Sequence, residues 1–441
     1  MLNKQRSKAI LVLSLPIIGG MMSQNILNLV DTAMVGRLGA PALAAVGLGG
    51  FINYMCVAFL LGLSAGVQAM VSRRMGENNS SEAAYPLNAA LIIILFAAIP
   101  MTLLLYFLSP HLIHWFNPDS VVVEQGTPYL QARFLGLLSL AIHYSFRGYW
   151  SGINMTKVYL KALIFAHSSN IIISYALIFG KLGLPALGTY GAGLGTSISI
   201  TLAVLYYFYC ALRHTKAYGF LEKLPSKATV MQMIKTSVPS SIQQFFFAAG
   251  FAALSWIIGQ VGTKELAGAN IIINLMLVGL LPAMGFGLGG ATLVGQSLGK
   301  KDIKAAQQWG WDTVKLACIT AAILMLPVMF FPDSILRLFL SDQAVIDLTR
   351  LPLQLAALSL GVECIGIVLF NTINGAGDTT STMKISFALQ WIVFLPMAWL
   401  VGPYLGMGLT AIWIGQILYR LVFTWAMIHM WKAKKWTTVE V

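Results

Sequence analysis

The feature that most limits what this chain can fold into is the recurrence, along its whole length, of apolar runs long enough to cross a bilayer. Leu91 to Leu108 with its flanks, Leu163 to Phe179 and Ile385 to Val401 are three of them, and each matches the ~30 Å hydrocarbon core. Of the 441 residues, 58% are hydrophobic and 10% charged, against roughly 25% charged in a soluble domain. So little charge cannot cover a water-facing surface of this size. The expected fold class is an all-α integral membrane protein with twelve transmembrane helices. The spans are read near 9–35, 42–72, 87–108, 128–150, 160–180, 190–212, 231–258, 266–296, 311–332, 350–373, 383–402 and 405–430.

A net charge of +13 would in a soluble protein raise the question of nucleic acid, but its placement answers differently. Most of the 28 basic residues fall in alternate loops: Lys4, Arg6 and Lys8; Arg73 and Arg74; Lys157 and Lys161; the cluster from Arg213 to Lys235; Lys300, Lys301 and Lys304; Lys384; and Lys432 to Lys435. By the positive-inside rule these loops and both termini are cytoplasmic. Nucleic acid is therefore not an expected partner. The first apolar stretch is too long for a cleavable leader and lacks a small-x-small site, so it reads as a retained span. Cys56, Cys210, Cys318 and Cys364 lie in or at the ends of apolar segments without CxxC spacing, and read as small core residues.

The chain is duplicated. Sliding it by 223 residues superposes Ser14 and Pro16 on Ser237 and Pro239, Gly36 and Gly39 on Gly259 and Gly262, and Gly62 and Gly66 on Gly285 and Gly289. Gly152 and Thr156 fall on Gly375 and Thr379. Six spans superpose on six, an even number, so both halves insert the same way round. They form two lobes related by a pseudo-two-fold axis along the membrane normal. The expected division is 1–212, a cytoplasmic linker at 213–230, and 231–441.

Asp31 is the most informative residue. A carboxylate in hydrocarbon costs about 2.5–3.5 kcal/mol even on the lenient insertion scale. Gln24, Asn28 and Asp31 recur at spacings of four and three, on one helix face that must look into protein or water. The equivalent of Asp31 in the second half is Leu254, so duplication does not require the carboxylate. The alternative is an Asp solvated near a helix end, with Arg37 close by. His167, Asn170 and Ser174 interrupt the fifth apolar run, Thr196 lies in the sixth, and His143 and Tyr144 lie in the fourth. Glu363 is the one carboxylate within an apolar stretch of the second half, and either couples an ion or sits at the interface. Gly62-x3-Gly66 and Gly191-Ala-Gly-Leu-Gly195 lack the context of a nucleotide loop, there is no Walker motif, and His111-x2-His114 has no further ligands for a metal. No enzyme constellation is present.

These residues resemble the multidrug and toxic compound extrusion (MATE) family. The resemblance rests on Asp31 followed by Thr-Ala-Met-Val-Gly36, on Arg147-Gly148 with Gly152, on Asn374-Gly-Ala-Gly-Asp378-Thr379, and on Asn170 leading to Leu177-Ile-Phe-Gly180. It covers nearly the whole chain. It implies a cation-coupled antiporter of drugs, working by alternating access, with no cofactor beyond the coupling ion. DinF-like members place a first-helix Asp with a fifth-helix Asn and Asp, which Asp31 and Asn170 match. Ser174 stands where the second carboxylate would be, which favours protons over sodium. NorM-like members use a tenth-helix acid, matched by Glu363, and a seventh-helix Glu, where this chain has Gln243, Gln244 and Phe247. The DinF-like branch is thus expected ahead of the NorM-like. The expected coupling residues are Asp31, Asn170 and Glu363, and the expected lining or relay residues are Gln24, Asn28, Tyr144, Ser174 and Thr196. The expected setting is the bacterial inner membrane, with a monomer meeting lipid and small amphipathic, often cationic compounds. The alternatives are a flippase for lipid-linked oligosaccharides, a membrane enzyme or a channel.

Overall fold

The computed structural model describes residues 3–340 and 342–440. Its helices are α1 (Lys4–Gly36), α2 (Ala40–Gly76), α3 (Tyr85–Phe116), α4 (Ser120–Leu135), α5 (Leu137–Gly152), α6 (Thr156–Phe179), α7 (Gly188–His214), α8 (Lys227–Val261), α9 (Thr263–Gly299) and α10 (Ile303–Phe330). They continue as α11 (Pro332–Leu336), α12 (Gln343–Gly375), α13 (Thr379–Phe387), α14 (Leu395–Trp399) and α15 (Gly408–Ala433). Among the described residues there is no strand, and eleven helical stretches are long and apolar enough to span a membrane. Exposed apolar side chains such as Leu95, Phe96, Leu103, Leu104 and Phe107 on α3 are what lipid, as solvent, allows.

The twelfth span is α4 and α5 in series, and it is longer than the single helix expected over 128–150. The helix breaks at Gly136, whose N–H bonds back to Arg133 O at 3.1 Å instead of to Ala132. The carbonyl of Ala132 thereby loses its helical partner, and Ser197 Oγ on α7 donates to it at 2.7 Å. A Cβ at position 136 would stand 2.7 Å from Cβ of Ser197. Glycine and serine together make a break in which the freed Ala132 carbonyl finds a new donor, as backbone polar groups inside a membrane require. The eleventh span also departs from a regular helix: π-helical turns at Ala388–Phe394 join α13 to α14, and a second π-helical stretch at Leu400–Tyr404 follows α14, widening the helix at each bulge.

The compact units do not divide at the 213–230 linker. Residues Gly19–Ser241 form one unit, and the residues up to Ile18 with those from Ile242 onward form the other. Both divisions fall inside a helix, α1 and α8, at positions that the repeat makes equivalent, and each lies two residues after a proline, Pro16 or Pro239. The glycine seams supply the reason. In one unit the head of α1 packs on α9, with Ile18 against Gly285 and Ser14 against Gly289. In the other the head of α8 packs on α2, with Ser241 against Gly62 and Ser237 against Gly66. A Cβ at any of these four glycines would overlap its neighbour. Loss of side chains lets the backbones approach, which is how membrane helices gain dispersion contact in place of a hydrophobic drive. Each half thus hands the first turns of its opening helix to the other half's packing.

The head of α1 carries further anchors within its unit. Arg6 pairs with buried Asp312 on α10 at 3.4 Å, donates to Gln308 and lies over the Trp309 ring. The linker is likewise tied down: Asn88 at the start of α3 donates to Gly219 O at 3.0 Å and accepts from Leu221 N at 3.2 Å.

Candidate cation-coupling site

In the Gly19–Ser241 unit, α1 runs close along α6. Gly20 leaves no room for a Cβ beside Tyr159 and Leu163 of α6, and this approach brings the polar face of α1 onto that of α6. In turn α6 packs on α7 at Gly191, which lies against the Leu177 carbonyl, and at Gly195, which lies against Ser174. The glycine run of α7 is therefore a packing stripe.

The polar residues singled out in the sequence meet along these seams. Asn170 is 1% exposed. The amide orientation that satisfies its neighbours has Nδ2 donating to Asp31 Oδ1 at 3.0 Å and Oδ1 accepting from Thr196 Oγ1 and N, each at 3.2 Å. Asp31, Asn170 and Thr196 form one cluster from three helices. Gln24 Nε2 donates to Asn28 Oδ1 at 3.1 Å, so the face predicted on α1 is a connected polar row. Ser174 is buried one turn after Asn170, and its hydroxyl has no hydrogen-bond partner. Tyr144 is not in this hydrogen-bonded group. It lies under the Arg147 guanidinium, 5.2 Å from ring centre to carbon, while Arg147 Nε donates to Ser64 Oγ at 3.0 Å.

Two neighbours lie outside the expected coupling and lining residues. His167 bridges to α1, with Nδ1 3.0 Å from Ser23 Oγ and Nε2 3.1 Å from Gln24 Oε1. Its spacing of three from Asn170 was the available signal. Arg133 on α4 is close enough for its charge to act on both Asp31 and Tyr129.

Glu363 lies in the other unit, 5% exposed, and so is interior rather than interfacial. It faces Arg420 of α15, with Nε to Oε1 at 3.1 Å and both side chains buried. The angles miss those of a directed hydrogen bond, since neither atom has such a partner, so the attraction is between the charges. The Arg420 guanidinium also lies over the Tyr419 ring at 5.1 Å. The signal for Arg420 was a lone arginine within the last apolar run.

A duplicated helical membrane fold, with one carboxylate in a polar cluster of one unit and an interior ion pair in the other, has the makings of a polytopic transporter. The chain belongs to the MatE family, whose sequence model matches residues 16–176 and again 239–400, the same 223-residue offset as the internal repeat. It is 27% identical to a probable multidrug resistance protein NorM of Pasteurella multocida, over 97% of this chain and 94% of that one. It is 25% identical to a multidrug resistance protein MdtK of Yersinia pseudotuberculosis, over 93% and 92%. The names of these relatives lean away from the DinF-like branch expected above. In fold it is similar to an outward-facing multidrug resistance MATE transporter, with a TM-score of 0.90, 20% identity and coverage of 99% and 97%. It is equally similar to a transporter of the MOP superfamily from Pyrococcus furiosus, with a TM-score of 0.89, 20% identity and coverage of 97% and 96%.

Proposed function

We propose that this chain is a secondary active multidrug exporter, that it exchanges small amphipathic and often cationic compounds for protons by alternating access, and that Asp31 is the group whose protonation couples the two. The observation that carries this reading is the environment of Asp31. A single carboxylate is held within the bilayer by an uncharged donor, Asn170 Nδ2, on a face continued by Asn28 and Gln24. A carboxyl whose hydrogen-bond partner is neutral is not locked into one charge state by a bonded ion pair, which is what a carrier needs. The donor nitrogen facing it, and Ser174 in place of a second acid, favour a proton over a sodium ion, which takes oxygen ligands. The relatives named as multidrug resistance proteins support the class of cargo, and 23 Phe with 20 Met suit adaptable apolar and cation–π contact. Two of the interior cations that a pyrophosphate-binding flippase would call on, Arg147 and Arg420, are engaged by Ser64 and Glu363.

The test is uptake of several dyes into proteoliposomes under separately imposed proton and sodium gradients. A proton gradient alone is expected to drive accumulation; accumulation under sodium alone would refute proton coupling. The same reading places the chain in the bacterial inner membrane with both termini and the basic 213–230 loop in the cytoplasm, on the charge distribution. Cysteines introduced at exposed Leu221 or Leu224 should react with impermeant reagents only in inverted vesicles, and labelling in intact cells would reverse the orientation.

A further inference from the structure

We propose that His167 is a second proton-binding group of the Asp31 site, and that it receives the proton Asp31 releases on its way to the cytoplasmic side. The inference rests on the proton-coupled reading above and extends it to a residue that reading does not use.

Both ring nitrogens of His167 face oxygens of α1, Ser23 Oγ at 3.0 Å and Gln24 Oε1 at 3.1 Å. The Ser23 hydroxyl donates to Gly20 O at 2.9 Å, so its oxygen is free to accept. The Gln24 amide nitrogen donates to Asn28, which leaves the Gln24 oxygen for the ring. An imidazolium, with two N–H donors, satisfies both contacts as they stand. A neutral ring with its proton on Nε2 is satisfied equally once the Ser23 hydroxyl rotates from Gly20 O to Nδ1. The Gly20 carbonyl keeps its place in the helix ladder in either case. Gain or loss of a proton at His167 therefore needs one hydroxyl rotation and no movement of a helix. A histidine held only for packing would not need partners that serve both charge states.

Placement supplies the rest. Gln24 and Asp31 are seven residues apart on α1, about 10 Å along the axis at ~1.5 Å per residue, and Asn28 lies between them. His167 and Asn170 share a face of α6, and Asn170 holds Asp31. Two polar rows thus join the outer carboxylate to the inner imidazole. The Gln24 and Asn28 side chains are exposed, so water on that face carries the proton between them. Asp31 goes from acid to carboxylate as His167 goes from imidazole to imidazolium, and His167 then loses the proton to water on the cytoplasmic side. The titratable group whose charge reaches the ring is His143 on α5, which is also coupled to Arg147; the carboxyl of Asp31 stands about 10 Å farther along α1. A cation at His143 disfavours the imidazolium, and the carboxylate left at Asp31 favours it, so transfer is tied to Asp31 having given up its proton.

The experiment uses full-length protein in proteoliposomes, with dye export driven by an imposed pH gradient across a range of internal pH. His167→Gln keeps an amide able to meet Ser23 and Gln24. It is expected to bind dye within about twofold of the unmodified protein, to export about tenfold more slowly, and to lose one limb of the pH profile. Gln24→Glu places a carboxylate beside Nε2 and favours the imidazolium. It is expected to move that limb to more alkaline pH by about one unit. An unchanged profile in either variant overturns the proposal, as does export by His167→Gln at the unmodified rate. Gln24→Glu keeps His167 in place, so its shift decides the matter should His167→Gln fold poorly. Sodium-driven export alone by the unmodified protein would overturn the proton reading, and this inference with it. Proton-driven export that dies in Asp31→Asn yet is untouched in both His167→Gln and Gln24→Glu would sink only the role of His167.

Discussion

Asp31→Asn is expected to yield a folded protein in which proton-driven export has fallen by about two orders of magnitude or more, the scale on which a positioned proton-transfer group acts. The fold should survive because the substituted amide still offers an oxygen to Asn170 Nδ2, the contact that holds the side chain at 3.0 Å in the native protein. Binding of drug should survive for the same reason. What is lost is the change of charge. Without it, moving the site between faces carries no proton, and the membrane potential has nothing to act on. The quantity at stake is adequate for export: one charge crossing roughly 150 mV is worth about 3.5 kcal/mol, or about 2.5 decades of drug concentration. The measurement is dye accumulation in liposomes under an imposed proton gradient. Asp31→Asn protein that still pumps would show that the coupling proton is carried elsewhere.

Removing one member of the Glu363–Arg420 pair should have the largest effect on stability of any single change considered. Both side chains are buried, at 6% and 12% exposure, and Arg420 lies in α15 with Glu363 in α12. Deleting either charge by Glu363→Leu or Arg420→Met leaves the other without a partner in the interior, a loss of about 3–5 kcal/mol. Replacing both at once by these apolar side chains should recover most of that loss, because the cost of desolvating two charges disappears with their attraction. Thermal unfolding of the three proteins in detergent separates the cases. A double variant no more stable than the singles would mean that the pair is not the unit of stability. Held in this way, Glu363 is set up as a fixed charge, whereas Asp31 has an uncharged partner. Glu363→Gln should accordingly lower export per folded molecule less than Asp31→Asn does, and a larger loss would move the coupling site to the second half.

The membrane class, the duplication and the candidate carboxylates could be read from the chain because each depends on local or periodic information. Apolar length decides what spans, the 223-residue register survives in glycines and prolines, and an Asp in hydrocarbon announces itself by its cost. The pairing of Asp31 with Asn170 was also legible, since both stood on polar faces matched to a known family pattern. What the tertiary structure alone decided concerns the rotational phase and depth at which helices distant in sequence meet. Arg420 opposite Glu363, Ser23 opposite His167 and the Ser197 hydroxyl on the broken span at Gly136 are meetings of that kind. The division at Ile18 and Ser241 belongs with them. The basic linker is the natural boundary for a chain read in order, but four seam glycines let the heads of α1 and α8 pack where contact is closest. Sequence spacing states which residues share a face of one helix; only packing states what that face meets.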